Sequence, residues 1–564
     1  MFRSVRGLRD FEKIALAPGE KTTVTFTPAS RAGLRPLRKE EVRHDDFLVQ
    51  EESMILGIEF GSTRVKAVLT DRAGNVLAVG GYEWENKLID GFWTYSIDEV
   101  FTALRRAYSS VNNEYRAKYG EYITKLDAIG ISAMMHGYLA FDGEDNLLVP
   151  FRTWRNTNTA QAAEELTKEL GFNMPQRWSA THYYQAVLNG EPHADRVAFL
   201  TTLSGYVHWK LTGKKVLGVG DASGMFPVRG REYDIDRVKK YNELLRKRGI
   251  TRDLRDLLPK ILLAGEDAGT LTEEGAKLLD ESRTLKAGAL FCPPEGDAGT
   301  GMVATNSVRE KTGNVSAGTS SFVMIVLDRP LKNLHTEIDV VTTPAGLPVA
   351  MVHANNCTSE INAWIRLFDE VITLFGGEVA KGELYDKLFK ISARADADAG
   401  VFACNFLSGE PVANVGEGRP MVFRMPDGKM DLANFMQAQI YSAVAPLQIG
   451  MKILEEEGVS VNEICGHGGY FKTEYIGQSA MSAALSAPVT VLKNAGEGGA
   501  YGIALLALYR LGGGKEDLAD FLDARFAKEE KTTVRATDEE VFKFNRFMKL
   551  YRAGLAAERA AAEV

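Results

Sequence analysis

A strand–turn–strand unit built around glycine occurs twice in this chain, once in each half. The first copy is MILGIEF-GST-RVKAVLT (54–70) and the second is TGNVSAG-TSS-FVMIVLD (312–328). Apolar runs on both sides of a short polar turn predict a β-hairpin in each place. Because the same unit occurs near the start of each half, we expect two similar α/β domains that meet near residues 305–312.

The chain is long enough for two such domains and has an ordinary globular composition. It has 564 residues, of which 45% are hydrophobic and 25% are charged, as in typical soluble domains. We expect an N-terminal domain over 54–307 and a C-terminal domain over 308–564, preceded by an extension over 1–53. The net charge of −8 argues against binding of nucleic acid through a basic surface.

The cysteines and the apolar segments predict a cytoplasmic protein. The cysteines are far apart and form no C-x-x-C pair, which argues against a disulfide scaffold or a zinc finger; they are Cys292, Cys357, Cys404 and Cys465. The N-terminal segment MFRSVRGLRDFEK is charged where a signal peptide needs an apolar core. The apolar stretch Tyr501–Leu508 is too short to span a bilayer.

Residues 1–53 differ in character from the rest of the chain. The segment Phe11–Pro28 predicts two short strands around a turn. Residues 5–29 resemble part of the fibronectin-III-like module of family-3 glycoside hydrolases. Two strands alone do not make a stable sandwich, so we expect this extension to be either a non-native fragment or a mobile arm.

Helices are expected between the strands of the second half. Thr358 or Ser359 can cap a helix through Ile361–Phe375. Leu432–Glu457 predicts a long helix that Pro446 interrupts.

The two glycine turns are candidate phosphate-binding sites. Glycine lets a backbone N–H approach phosphate oxygens, and the hydroxyls of Ser62, Thr63, Thr319 and Ser320 add donors. The carboxylate of Glu59 beside the first turn can hold Mg²⁺. An ordinary hairpin turn is the alternative for each copy alone. Two such hairpins facing each other across a cleft are typical of actin-type ATPases.

Two further glycine-rich segments and one histidine follow predicted strands. Gly466-His467-Gly468-Gly469 offers small residues where an adenine ring could lie, although a tight turn gives the same pattern. Gly498 and Gly499 favour close packing, with adenosine contact as the second alternative. His136, in Met134-Met135-His136-Gly137, can donate to a sugar hydroxyl or be a core histidine.

Two aspartates and a tryptophan complete the candidates. Asp297, between glycines at the start of a small-residue helix, is either an accessible carboxylate or an N-cap. Asp221 in GDASG is either a second such carboxylate or part of an Asx turn. Trp154, followed by Arg155 and Asn156, forms either one wall of a sugar site or part of the core.

Together these motifs resemble the FGGY family of carbohydrate kinases, in the family's order and over nearly all of 54–560. The family's first strand and turn correspond to GIEFGST (57–63), its QMHG motif to Met134–Gly137, its W-N-D-x-R motif to Trp154–Asn158, its DASG motif to Asp221–Gly224, its GGGDN motif to Glu295–Ala298, its GTS motif to Gly318–Ser320, and its glycine turn near adenosine to Gly466–Gly469. Within the family, the pentulose kinases are the most similar.

The resemblance implies an α/β fold of two actin-like (ribonuclease H-like) ATPase domains, with a nucleotide cleft between them. It implies ATP and Mg²⁺ as cofactors, with Asp297 as the catalytic base. The implied sugar-binding residues are Met135, His136, Trp154, Asn156 and Asp297. The implied nucleotide-binding residues are Gly61, Ser62, Thr63, Gly318, Thr319, Ser320, Gly468 and Gly469, and the implied metal ligands are Glu59 and Asp297.

Several positions depart from the family pattern, mostly on the sugar side. Glu59 stands where the family usually has Asp, and Met134 replaces the usual Gln. Asn156 and Asn158 replace Asp and Arg, and Ala298 replaces the Asn after the base. These departures leave the chemistry better supported than the identity of the sugar.

The expected function is ATP-dependent phosphorylation of a ketopentose, with D-xylulose first and L-ribulose or another ketose or polyol as alternatives. The alternative from another class is an actin-like ATPase that acts as a chaperone or sensor. His136, Trp154 and Asp297 favour the kinase, because a chaperone has no use for a sugar site. We expect a small-molecule sugar as the partner, with no nucleic acid and no membrane, and leave a homodimer open. Asp221 is the next candidate for the base.

Overall fold

Two β-sheets, one in each half of the chain, organise the fold. The computed structural model describes residues 53–492 and 498–563. The predicted strand pair within Phe11–Pro28 and the fibronectin-like segment therefore lie outside the described residues, as do residues 493–497.

The first half contains short strands and the helices that cover them. Its strands are β1 (Ile55–Phe60), β2 (Arg64–Thr70), β3 (Val76–Glu83), β4 (Lys87–Ile89), β5 (Phe92–Thr94), β6 (Ala128–Ala133), β7 (Leu139–Phe141), β8 (Phe199–Thr201), β9 (Val216–Gly218), β10 (Val228–Arg229), β11 (Glu232–Tyr233), β12 (Lys260–Leu262), β13 (Leu290–Phe291) and β14 (Glu295–Gly296). Its helices are α1 (Ile97–Tyr119), α2 (Ala160–Leu170), α3 (Ser179–Leu188), α4 (Leu203–Thr212), α5 (Val219–Ser223), α6 (Ile235–Lys247), α7 (Leu254–Leu257), α8 (Glu273–Leu279) and α9 (Asp297–Ala304).

The second half repeats this plan with longer helices. Its strands are β15 (Thr312–Ala317), β16 (Ser321–Val326), β17 (Asp339–Thr342), β18 (Pro348–Ala354), β19 (Val401–Cys404), β20 (Met421–Arg424), β21 (Glu463–His467), β22 (Val489–Leu492) and β23 (Lys531–Val534). Its helices are α10 (Thr358–Leu374), α11 (Lys381–Ile391), α12 (Leu432–Ser442), α13 (Ala445–Glu456), α14 (Ile476–Leu485), α15 (Gly498–Leu511), α16 (Leu518–Phe526) and α17 (Asp538–Ala561).

The two sheets share one topology. The first has the order β13-β6-β1-β2-β3, with β14 also on β6, and the second has the order β17-β18-β16-β15-β21-β22-β23. In each, a glycine turn joins two antiparallel strands, β1 with β2 and β15 with β16. The first strand of each hairpin then pairs in parallel with a later strand, β6 or β21. The repeated sheet topology confirms the predicted α/β fold with two similar halves.

Helix α15 lies late in the chain but packs on the first sheet. It contacts β1, β6 and α9, and its apolar residues Ile503–Tyr509 are buried. Gly502 allows this approach, because a Cβ there would lie 1.9 Å from the carbonyl oxygen of Thr300 on α9. The predicted close packing at Gly499 is also present, since a Cβ there would lie 2.4 Å from Glu59 Oε1.

Within residues 53–492 and 498–563, no helix combines the length and the apolar character needed to cross a membrane. The cysteines are all buried and unpaired.

Candidate active site

Aromatic side chains hold the first glycine turn, between β1 and β2. The indole N–H of Trp84 donates to the carbonyl oxygen of Gly61 (2.7 Å). The hydroxyl of Tyr95 donates to the backbone carbonyl oxygen of Ser62. The indole N–H of Trp154 donates to the hydroxyl of Ser62 (3.2 Å). The rings of Trp84 and Tyr95 stack with centroids 4.0 Å apart. These aromatic side chains therefore fix the backbone and the hydroxyl of the turn through three hydrogen bonds.

Trp84 and Tyr95 were not expected from the sequence as site residues. Their side chains gave one indication: the N–H of a buried tryptophan and the O–H of a buried tyrosine need a hydrogen-bond partner. Nothing in the sequence shows that both partners belong to the same turn.

Glu59, near the end of β1, is half-buried and faces Asp297. Burial and the nearby Asp297 carboxylate raise the pKa of Glu59 to about 7, whereas Lys66 and the backbone N–H of Ala500 act to lower it. Ala500 lies in the first turn of α15, so the positive end of that helix meets the carboxylate.

Lys66 is a cation beside the first turn that sequence reasoning missed. It is the register partner of Glu59 in the β1–β2 hairpin, so both side chains project from one face of the sheet. Burial and Lys66 together lower the pKa of His467, at the end of β21, to about 4. Lys66 therefore lies near the end of a strand of the second sheet.

The second glycine turn is held by the start of α10. The carbonyl oxygen of Gly318 accepts from the backbone N–H (3.0 Å) and the hydroxyl (2.7 Å) of Thr358. The carbonyl oxygen of Thr319 accepts from the N–H of Cys357 (2.9 Å), and the side chain of Thr319 is exposed. The N–H of Gly318 closes the turn onto the carbonyl oxygen of Ser320 (2.9 Å).

The predicted adenosine turn lies against the second glycine turn. Gly468 has φ of 110°, and a Cβ there would lie 2.3 Å from the carbonyl oxygen of Ala317, the last residue of β15. Only glycine fits this close approach in that conformation. At Gly469 a Cβ would meet open space. The structure thus brings Gly468 and Gly318–Ser320 together.

Asp297 is the first residue of α9 and lies beside the loop after β6. Its Oδ1 accepts from the backbone N–H of Met135 (3.2 Å) and of Ala298 (2.9 Å). Burial raises the pKa of Asp297 to about 6, although these N–H groups favour the ionised form. Gly296 is the N-cap of α9, so the alternative of Asp297 as a simple N-cap is wrong.

His136 is buried and has an unusual backbone conformation. Its φ is 68°, in the left-handed region that costs a non-glycine residue energy. Its Nδ1 lies 2.9 Å from the carbonyl oxygen of Gly224. Because a carbonyl only accepts, Nδ1 carries the proton, and Nε2 is left as an acceptor. Burial and the nearby Arg177 hold the pKa of His136 well below its usual value, so the ring is neutral.

Trp154 and Asn156 lie on the loop before α2. Trp154 is half-buried and reaches Ser62 as described. The buried Asn156 accepts from the N–H of Trp93 (2.8 Å) through Oδ1 and donates to the carbonyl oxygen of Trp93 (2.9 Å) through Nδ2. Its amide therefore holds β5 against this loop, and a direct contact with the sugar stays a prediction.

Asp221 lies in α5 and is fully buried near Asp297. Its Oδ2 accepts from the hydroxyls of Thr202 (2.7 Å) and Ser204. Burial, and to a smaller extent the charge of Asp297, raises the pKa of Asp221 to about 7. Asp221 therefore lies close enough to feel the charge of Asp297 but is enclosed by protein.

The carboxylates of Glu59 and Asp297 are a suitable donor set for Mg²⁺. Mg²⁺ keeps several waters and binds through one or two carboxylates and the phosphates of its substrate. Asp297 is close enough to raise the pKa of Glu59, which is the electrostatic signature of a pair that a cation would stabilise. The described residues contain no group of three or more Asp, Glu, His or Cys side chains that could hold a metal.

Comparisons with known proteins agree with this geometry. Models of the FGGY family of carbohydrate kinases match residues 54–285 (N-terminal domain) and 313–511 (C-terminal domain). A xylulose kinase of Haemophilus influenzae is 24% identical over 491 residues, which are 82% of this chain and 92% of that protein. A glycerol kinase of Thermococcus gammatolerans is 25% identical over 291 residues, which are 48% of this chain and 54% of that protein.

The fold is also found among solved structures. The gluconate kinase from Lactobacillus acidophilus superposes with a TM-score of 0.74 at 17% identity, covering 91% of this chain and 99% of that one. With both family domains matched in order around the two glycine hairpins, this chain belongs to the FGGY family of carbohydrate kinases.

Proposed function

We propose that this kinase transfers the γ-phosphoryl group of ATP to a hydroxyl group of a ketopentose, with D-xylulose as the first candidate. The observation that carries the proposal is the setting of Asp297. Its carboxylate is held by the N–H groups of Met135 and Ala298, faces Glu59, and has a pKa of about 6. A carboxylate of this kind is ionised at neutral pH and basic enough to accept a proton.

The proposed reaction is an in-line phosphoryl transfer. Asp297 accepts the proton of the sugar hydroxyl as that oxygen bonds to the γ-phosphorus. The bond from the γ-phosphorus to the β–γ bridging oxygen breaks, and ADP leaves with the electron pair. When bound by Glu59 and Asp297, Mg²⁺ supplies neutralisation of the phosphate charge. Catalysis of this kind depends on positioning and charge more than on covalent chemistry.

The nucleotide is proposed to lie between the two glycine turns. Ser62 and Thr63 on one side, and Thr319 and Ser320 on the other, would donate to phosphate oxygens. Gly61 and Gly318 would let the backbone approach the phosphates, while their own N–H groups close the turns onto the carbonyl oxygens of Arg64 and Ser320. Lys66 would add a positive charge beside the first turn, while Gly468 and Gly469 would accommodate adenosine. The support is that Lys66 lies close to both Glu59 and His467.

The sugar is proposed to lie against Met135, His136 and Trp154. The neutral His136 would accept a hydrogen bond from a sugar hydroxyl through Nε2, rather than donate one as the sequence suggested. D-Xylulose is favoured because the xylulose kinase relative aligns over most of both chains. L-Ribulose, another ketose or a polyol remains the alternative, because the glycerol and gluconate kinases are similar as well.

An actin-like ATPase with a chaperone or sensor role is the alternative from another class. The hydrogen bond from Met135 to Asp297 favours the kinase, because it places the proposed base beside the buried His136, which can accept a hydrogen bond from a sugar. A homodimer and the absence of nucleic-acid partners stay predictions.

A coupled ADP-release assay over D-xylulose, L-ribulose, other ketoses, gluconate and glycerol tests the proposal. We expect a ketopentose to give the highest kcat/KM, and Asp297→Asn to lower kcat by about 10²–10⁴-fold with ATP affinity retained. Asp431→Asn is the matched control, because Asp431 is also a helix-start carboxylate that accepts a backbone N–H but lies outside the site. The kinase assignment fails if no sugar raises ADP release above the rate with ATP alone. Full activity of Asp297→Asn would instead move the base elsewhere.

A further inference from the structure

Glu295 lies two residues before the proposed base and has no role in the reaction described above. It forms β14 with Gly296, and β14 pairs in parallel with the end of β6. Its side chain is 1% exposed. In the family motif quoted above, the corresponding residue is glycine, so the motif itself assigns no role to this carboxylate.

The carboxylate of Glu295 is bound to the start of α5. Oε1 accepts from the N–H of Gly220 (3.2 Å) and Oε2 from the N–H of Asp221 (2.9 Å). The N–H of Gly218 donates to the carbonyl oxygen of Pro294 (2.8 Å), which fastens the same two segments a second time. A Cβ at Gly218 would lie 2.3 Å from Glu295 Oε1, and one at Gly220 would lie 2.5 Å from Oε2. Both glycines leave the space that the carboxylate occupies.

The other side of α5 is bound to the edge strand of the second sheet. The N–H of Thr342, the last residue of β17, donates to the hydroxyl of Ser223 (3.0 Å). The hydroxyl of Thr342 donates to the carbonyl oxygen of Val219 (3.1 Å). At the other end of β17, Asp339 forms an ion pair with Arg177 of the first half.

These contacts form one continuous path from the second sheet to the base. β17 holds both ends of α5, α5 holds the carboxylate of Glu295, and Glu295 and Asp297 are separated only by Gly296. Because α5 is a short helix of buried residues, it can transmit a displacement as a rigid body. A shift of β17 would therefore reach Asp297 through Glu295.

We infer that Glu295 is a positioning residue that makes the placement of Asp297 depend on the position of the second sheet. The inference rests on the proposed role of Asp297 as the base. It gives the enzyme a way to align the base when the two halves adopt the arrangement for transfer. Glu295 itself touches neither sugar nor nucleotide.

The test compares Glu295→Gln with a matched control, Asp280→Asn. Asp280 is also buried and accepts backbone N–H groups, from Ser282, Thr284 and Leu285, but belongs to a loop away from the site. Misplacement of a catalytic group by about 1 Å costs up to about 100-fold in rate. We expect Glu295→Gln to lower kcat about 10- to 100-fold, with the sugar KM and the ATP dissociation constant nearly unchanged, whereas Asp280→Asn keeps its kcat.

A purely structural role would lower the melting temperature of both variants and leave the kcat of the folded fraction intact in both. That result would overturn the inference. Thr342→Val provides a second test that leaves Glu295 in place and applies if Glu295→Gln fails to fold. It should lower kcat in the same way without changing KM, and an unchanged kcat would count against the path.

The double variant reports on the path itself. If Glu295 and Thr342 act in series, the double variant should be no slower than the slower single variant, whereas independent effects would multiply. The assays use ATP, Mg²⁺ and the best sugar of the panel, with D-xylulose expected. Asp297→Asn, measured in parallel, separates the two failures. If it remains active, the proposed base is wrong; if it is inactive while Glu295→Gln matches the control, only the positioning role is wrong.

Discussion

The indole nitrogen of Trp154 donates a hydrogen bond of 3.2 Å to the hydroxyl of Ser62. This bond joins the loop proposed to line the sugar to the turn proposed to hold phosphate. A side chain on the sugar side therefore also fixes the geometry of the nucleotide side. The pair offers a direct way to measure how strongly the two substrates' sites depend on each other.

Trp154→Phe keeps an aromatic wall but removes the N–H donor. A hydrogen bond between uncharged groups contributes about 0.5–1.5 kcal/mol, so we expect a two- to tenfold rise in the KM for ATP. Steady-state kinetics with ATP varied at saturating sugar measures it. Ser62→Ala should raise this KM at least as much, because it also removes the hydroxyl proposed to donate to phosphate, and the double variant should be no worse than Ser62→Ala alone. Independent, multiplying effects would mean that the bond does not support the turn.

Glu59→Gln tests the metal site. We expect a higher Mg²⁺ concentration for half-maximal activity, because the variant removes one of two carboxylates and with it much of the local negative charge. The measurement is kcat against free Mg²⁺ at fixed ATP. Glu83→Gln, at the end of β3 and exposed, is the control. An unchanged Mg²⁺ dependence in Glu59→Gln would place the metal on other groups.

The stability of the ligand-free protein should fall as the pH rises from about 4 to about 8. Burial raises the pKa of Asp221 to about 7 and that of Glu295 to about 8. A carboxyl group whose folded pKa lies above its unfolded value stabilises the fold most below the unfolded pKa, and this stabilisation is lost as the pH rises through the folded pKa. Melting temperatures across this range measure the effect.

Asp221→Asn separates this effect from the rest of the titration curve. The melting temperature of this variant should fall less with pH, because one ionising group is gone. The control Asp256→Asn, at an exposed position, should leave the pH dependence of the melting temperature unchanged. Equal slopes in all three proteins would show that Asp221 does not titrate in this range.

Gly502→Ala tests the packing of α15 on the first sheet. The added Cβ would lie 1.9 Å from the carbonyl oxygen of Thr300, and overpacking of this kind costs about 1–3 kcal/mol or more in the free energy of unfolding. Gly512→Ala is the control, since its nearest neighbour would be 3.5 Å away. Urea unfolding measures both. A Gly502→Ala protein as stable as the control would mean that α15 lies farther from α9.

The features that the sequence predicted well are local ones. Both hairpins form as expected, because apolar strands around a short polar turn determine their own pairing. Pro446 does divide the predicted long helix, and it lies in the first turn of α13. Proline is tolerated there because the first N–H groups of a helix have no partner within it.

The features that the sequence missed depend on contacts between distant segments. Thr358 or Ser359 was expected as a helix cap, but the N-cap residue is Cys357, and the hydroxyl of Thr358 donates to Gly318 instead. Trp84 and Lys66 lie in none of the motifs, and the motif that contains Glu295 gives it no role. Their contacts with Gly61, His467 and the start of α5 are known only from the folded chain. Asn156 was predicted on the correct loop, but the use of its amide by Trp93 follows only from the folded hairpin.

The packing of α15 on β1 and β6 has a consequence for synthesis of the protein on the ribosome. The strands of the first sheet are made early, yet one of their faces is covered by a helix that ends at Leu511. Domains usually fold as units, N-terminal first, while the chain is still growing. Here the first sheet must wait for nearly the whole chain to emerge before its apolar face is closed, so a nascent chain that stalls in the second half exposes a surface that chaperones recognise.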